Sequence, residues 1–139
     1  MFQDITFEEL LELQQKWELT LIDVRSPSEF IKATIPGSMN IPLFNDVESL
    51  EISSLNLEPA KNRALEIASV RLPSFVKEFQ RLEPRVAIFC WQGGMRSKTS
   101  AVVLSLMGIR VYRLIGGMRA YRKWVAKCNK SKIYNRPEL

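Results

Sequence analysis

The run Arg85-Val86-Ala87-Ile88-Phe89-Cys90 constrains this chain more than any other segment. It is short, apolar at consecutive positions and closely followed by Gly93-Gly94. A strand apolar on both sides must be covered on both faces, as the strands of parallel sheets are. Leu19 to Val24 (LTLIDV) is a second such run and Arg110 to Leu114 a third. Helical spacing fills the intervals. Strands alternating with helices predict an α/β fold of three layers, a parallel sheet flanked by helices on both faces. Ligands of such sheets bind beyond the carboxyl ends of the strands, and Cys90 stands at one of these ends.

Local signals place the remaining elements. Thr6-Phe7-Glu8-Glu9 is a capping box and starts a helix that runs to Lys16, with Phe7, Leu10 and Leu11 inward. Ser26-Pro27-Ser28-Glu29 starts a short one, ended by Pro36-Gly37. Ser38 to Ile41 reads as a brief strand. Residues 43–58 read as polar and irregular. Pro59 opens a helix to Leu72 and Pro73 another to Leu82. A helix over Ser97 to Met107 stops at Gly108, and the last covers Met118 to Lys127. With no repeat or linker, residues 1–139 read as one domain.

Composition excludes several classes of function. The chain has no histidine, which removes Cys-His pairs, histidine acid/base chemistry and nearly all zinc sites, so no metal is expected. Two cysteines, Cys90 and Cys128, make no disulfide framework. The N-terminus lacks the pattern of a signal peptide, and no run reaches the length of a membrane span, so the expected setting is cytoplasmic with free thiols. Charge is unevenly distributed: residues 1–84 hold 8 basic and 14 acidic side chains, residues 85–139 hold 12 basic and one acidic. Either the second half meets an anionic partner or it presents a solvated basic face.

Chemistry concentrates in the segment from Cys90 to Ser97. Trp91, Gln92, Gly93, Gly94 and Met95 make a tight turn whose amides face inward, and Arg96 adds a bidentate cation. Ser97 is read as the N-cap of the following helix, whose positive end points at the same hollow. An anion is favoured at the loop centre, and the Cys90 thiolate, persulfide or selenopersulfide with it. Met95 is read as packing against the core, Trp91 as either packing or pocket wall. Cys128, past the last helix, has no assigned role. Arg119, Arg122, Lys123 and Lys127 share one face of the last helix, opposite Ala120, Tyr121, Trp124 and Val125, and are candidate RNA contacts.

The motifs carry a family resemblance. Leu21-Ile22-Asp23-Val24-Arg25-Ser26-Pro27-Ser28-Glu29-Phe30 resembles the opening motif of rhodanese domains. Ile35-Pro36-Gly37-Ser38-Met39-Asn40-Ile41-Pro42 resembles their second motif and Gly116-Gly117-Met118-Arg119-Ala120-Tyr121 their closing one. The resemblance spans residues 5–127, leaving 128–139 as a tail. Cys-x-x-Gly-Gly-x-Arg-Ser, Pro42-Leu43-Phe44-Asn45-Asp46 and Arg119-Ala120-Tyr121-Arg122 are similar to the N-terminal half of bacterial tRNA 2-selenouridine synthases. That family replaces sulfur by selenium at wobble 2-thiouridine through a geranylated intermediate. The resemblance implies that Cys90 carries the chalcogen, with Arg96 on the anion and Asp23 and Arg25 bracing the loop. It implies a sulfur or selenium donor and tRNA as partners, and no cofactor in this chain beyond a covalent persulfide or selenopersulfide. Ala33-Thr34 stands where the family has a histidine, and Ser49 to Leu55 leaves the family pattern. The synthases' second half, with its Gly-x-x-x-x-Gly-Lys-Thr phosphate loop, has no counterpart in this sequence, which therefore reads as an isolated half, a split subunit whose partner is a separate phosphate-loop half, or a truncated product.

Two other readings stay open. Cys-x5-Arg-Ser is also the phosphate loop of cysteine phosphatases, some of which share the rhodanese fold. Residues 91–95 offer no carboxylic acid to protonate a leaving group. A rhodanese fold can also serve as a non-catalytic docking module, which needs neither Cys90 nor Arg96.

Overall fold

The computed structural model describes residues 1–82, 85–92 and 94–134, with side chains to residue 130. Among these residues, five parallel strands form one sheet: β1 (Gln3–Ile5), β2 (Thr20–Asp23), β3 (Met39–Asn40), β4 (Arg85–Phe89) and β5 (Arg110–Leu114), in the order β1-β5-β4-β2-β3. Among the described residues, six helices accompany them: α1 (Phe7–Lys16), α2 (Pro27–Lys32), α3 (Asp46–Ser53), α4 (Leu57–Gln80), α5 (Met95–Leu106) and α6 (Gly117–Tyr134), the last following β5. The three layers match the expectation.

Pleating explains why β4 is apolar at consecutive positions. Val86 and Ile88 enter one cluster with Ile67, Phe75 and Phe79 of α4 and Ala101 and Leu104 of α5. Ala87 and Phe89 enter the other, with Phe7 and Leu10 of α1 and Met118 of α6. Successive side chains point to opposite faces, and both faces carry helices. Cys90 keeps the parity of Val86 and Ile88 and joins the α4/α5 side. β4 therefore delivers the sulfur to the start of α5.

Three expectations about elements are corrected, and one element was not read from the sequence. Gln3–Ile5 is a strand, paired in parallel with Tyr112–Leu114; its three residues are too few to show periodicity. Residues 43–58 are not irregular throughout: Asn45 caps α3, its side chain accepting from the Glu48 amide while Glu48 accepts from the Asn45 amide. Two proposed helices are one, because α4 runs through Pro73. Pro59 lies in its first turn, where a missing N–H costs nothing. At Pro73, burial of Ile67, Ala68, Phe75, Val76 and Phe79 on both sides carries the helix past the lost hydrogen bond. Finally, α6 extends to Tyr134, so Cys128 lies within it, half-buried.

Asp46 ties α3 to α2: its carboxylate accepts from the Ser28 amide at 2.9 Å and the Ser28 hydroxyl at 2.8 Å. These bonds hold it below its ordinary pKa. The α3–α4 pair thereby borders the carboxyl end of the sheet, beside the cysteine loop.

Candidate functional site

Cys90 follows the last residue of β4 and is 2% exposed. Its thiol donates to the Ser97 hydroxyl at 3.2 Å, and that hydroxyl donates to the Gly94 carbonyl at 3.2 Å. Ser97 is not the N-cap. Gly94 holds that position, and α5 begins at Met95, which makes Ser97 the third helical residue. The displacement has a consequence: a hydroxyl inside the first turn points back over the helix entrance toward sulfur, where an N-cap side chain would bond its own helix's amides. The first turn contains no acidic residue, so its unpaired amides keep their positive potential toward the loop. The expected run of inward amides over residues 91–96 includes Gly93, which lies outside the described residues.

The loop rests on α6. The Met118 amide donates to the Cys90 carbonyl at 2.9 Å and the Arg119 amide to the Trp91 carbonyl at 3.0 Å. This close approach requires glycine at 117, whose φ is +50° and where a Cβ would collide with the Cys90 carbonyl. One helix terminus thus faces the sulfur while another pins the backbone beneath it.

Arg96 does not stand free. Its Nη1 donates to Glu29 Oε1 at 2.6 Å and its Nη2 to Oε2 at 3.3 Å, a bidentate pair between α5 and α2. Burial pushes the Glu29 carboxyl up. The hydrogen bonds and charge of Arg96, joined by the Ser26 hydroxyl and amide, outweigh this and hold it below the usual range. Sequence reasoning read Glu29 only as the partner of its own helix start. Nothing local could have found a contact across 67 residues.

Asp23 and Arg25 form a buried ion pair, Nη2 to Oδ2 at 2.8 Å. Thr34 donates to Asp23, Arg25 donates to the Ala33 carbonyl, and Asn40 donates to the carbonyls of both residues. The pair therefore locks the corner between β2, α2 and β3. Among the described residues, its side-chain bonds do not reach the loop. The link to the loop is backbone, the Val24 amide donating to the Phe89 carbonyl at 3.0 Å.

Of the remaining loop residues, Gln92 is exposed. Met95 is 71% exposed, a correction to its expected packing. It is the first residue of α5 and lies at the groove described below. Trp91 is half-buried against the α1/α6 cluster, and the Arg122 guanidinium lies 4.9 Å from its ring centroid. Arg119, Arg122, Lys123 and Lys127 are exposed on α6. Tyr121 and Trp124 turn inward onto Phe7, at 5.4 and 5.0 Å between ring centroids. The expected basic face exists, and Arg122 joins it to the cysteine loop.

An unpredicted groove of about 860 Å³ opens between α3 and α4. Leu50, Leu57 and Leu65 line it, and Glu29, Arg96 and Met95 form the border nearest the loop. Among the described residues, no group of three or more Cys, Asp or Glu could hold a metal ion, and no helix is long and apolar enough to cross a membrane.

The family model of the rhodanese-like domain matches residues 6–123. The chain is 29% identical over 133 residues to the tRNA 2-selenouridine synthase of Bdellovibrio bacteriovorus, covering 90% of this chain and 35% of that protein. It is 33% identical over 113 residues to the tRNA 2-selenouridine synthase of a Sulfurovum species, covering 76% and 31%. The chain thus spans about a third of the length of these curated relatives. Among solved structures, an N-terminal domain from Clostridium difficile 630, of a protein named for ATP/GTP binding, is similar at a TM-score of 0.79 and 29% identity, over 88% of this chain and 98% of that one. The human single-domain sulfurtransferase TSTD1 is similar at 0.51 and 28%, over 89% and 96%.

Proposed function

We propose, from the premise that this chain belongs to the rhodanese-like domain family, that it is a sulfur or selenium transferase domain in which Cys90 carries the chalcogen. The observation that carries this reading is the Cys90 thiol, at the carboxyl end of β4, hydrogen-bonded at 3.2 Å to Ser97 in the first turn of α5. The thiolate is the competent nucleophile. With thiosulfate as donor it attacks the outer sulfur, a new S–S bond forms, the old one breaks, and sulfite leaves with the bonding pair. The product is a Cys90 persulfide anion; selenosulfate gives the selenopersulfide in the same way. The start of α5 faces that anion, and the Ser97 hydroxyl can turn its hydrogen toward it.

The finer reading is that this is the rhodanese part of a tRNA 2-selenouridine synthase system, acting in the cytoplasm on wobble 2-thiouridine. Two findings support it: the relatives carrying that name, and the exposed basic face of α6 beside the loop. The rest of the reaction then falls to a phosphate-loop half.

Intact-protein mass spectrometry after thiosulfate or selenosulfate treatment tests the core claim. A gain of one sulfur or selenium, absent from Cys90→Ser and retained by Cys128→Ser, is expected. No gain in the parent protein, or Cys90-dependent hydrolysis of an aryl phosphate in its place, would overturn it and favour the phosphatase reading.

A further inference from the structure

We propose that Glu29 is a gate on the Cys90 loop: it occupies the end-on fork of Arg96, so that an anionic donor gains this fork and its full charge only by displacing a carboxylate. The proposal rests on reading Cys90 as the chalcogen carrier.

Three observations carry it. First, both oxygens of Glu29 are engaged, at 2.6 and 3.3 Å, by the two terminal nitrogens of Arg96. Glu29 takes the end-on fork of the guanidinium, two of its five N–H donors, and neutralises its charge, so a second anion meets a weakened site. The side chains are 26% and 35% exposed, so the pair is less screened than one in open water. Second, Arg96 and Glu29 line the groove beside α3 and α4, whereas Cys90 does not. Asp46 lines the same groove and adds a second carboxylate to its wall. Third, Glu29 keeps partners once Arg96 departs. The Ser26 hydroxyl donates to Oε1 at 2.9 Å and the Ser26 amide at 3.4 Å. The carboxylate is therefore not orphaned by the exchange, and Arg96 can pass between Glu29 and an incoming anion reversibly.

The gate makes the resting loop a weaker anion site than its motif implies. Weakly binding oxyanions are held off by competition with a tethered carboxylate. Glu29 acts through Arg96, as a positioning residue.

Two measurements decide the matter. Sulfite and thiosulfate binding is titrated calorimetrically on a Cys90→Ser background, and Cys90 loading is timed against thiosulfate concentration in the parent background. Glu29→Gln is expected to tighten anion binding about tenfold, the scale of one partly exposed charge-assisted pair. The thiosulfate concentration for half-maximal loading should fall by the same factor, while the plateau rate changes by less than about twofold. Glu29→Asp, which shortens the reach to Arg96, should move binding in the same direction by a smaller factor. Ser26→Ala spares the Arg96 pair but removes the partner Glu29 keeps after the exchange, so it should not lower the half-maximal concentration.

Weaker anion binding in Glu29→Gln, or the same shift in Ser26→Ala, would overturn the gate, because Glu29 would then be orienting Arg96 or merely holding α2. Loading that is identical in Glu29→Gln and the parent at every concentration also sinks it, with the Cys90 reading intact. Tighter binding in Glu29→Gln in a protein that never loads Cys90 supports the gate and overturns that reading instead.

Discussion

Gly117 lies against the backbone of Cys90 so closely that no side chain fits between them. Its φ of +50° adds a second requirement for glycine, and the next residue's amide donates to the Cys90 carbonyl at 2.9 Å. Cys90 is therefore positioned from beneath by α6 as well as from the side by α5.

Gly117→Ala must relieve both the clash and the strained φ by lifting the loop off α6. A loss of about 2–4 kcal/mol of stability is expected, from overpacking plus the cost of a non-glycine residue at positive φ. Chemical denaturation measures it. Persulfide loading should fall along with it, since the Cys90 carbonyl is what moves. A variant as stable as its parent would mean that the loop and α6 are not in contact in solution.

Ser97→Ala removes the hydroxyl 3.2 Å from Cys90 Sγ and leaves the helix start in place, because Gly94 and not Ser97 is the cap. Loading should slow by roughly 10–100-fold, the equivalent of one hydrogen bond to a charged group. Timed intact-mass measurements read this directly. An unchanged rate would assign Ser97 to packing alone.

Glu29 titrates below the ordinary carboxyl value of 4.5. A carboxyl depressed in the folded state adds stability that is present in full above the unfolded pKa and disappears as pH falls through the folded one. Melting temperatures recorded downward from pH 5 should therefore drop more steeply for the parent than for Glu29→Gln, and the two curves should converge at the acid end. Parallel curves would show that the Arg96 pair does not form in solution.

Exposed cations on α6 predict weak, salt-sensitive tRNA binding through phosphates. Arg122→Glu combined with Lys123→Glu should weaken it by at least about tenfold at low salt, measured by fluorescence anisotropy. Affinity that ignores this double substitution would remove α6 from the interface. The chain alone should form no selenouridine in tRNA digests; a separately made phosphate-loop half should restore it.

Sequence by itself was enough for the layers and for placing Cys90 at the carboxyl end of a strand. Apolar runs such as Arg85 to Cys90 demand cover on both faces, and the capping signals at Thr6 and Ser26 are local hydrogen-bond chemistry. The Gly-Gly turn before a helix marks the loop for the same reason. Where stability came from packing rather than from local signals, sequence was insufficient. β1 exists because β5 offers it partners, and α4 continues through Pro73 because its apolar face is buried on either side. The contact between Gly117 and Cys90 and the capture of Arg96 by Glu29 join residues distant along the chain, so no periodicity or motif encodes them. A strand's burial can be read from its own side chains, whereas the partner of a charge depends on where the folded chain brings the opposite one.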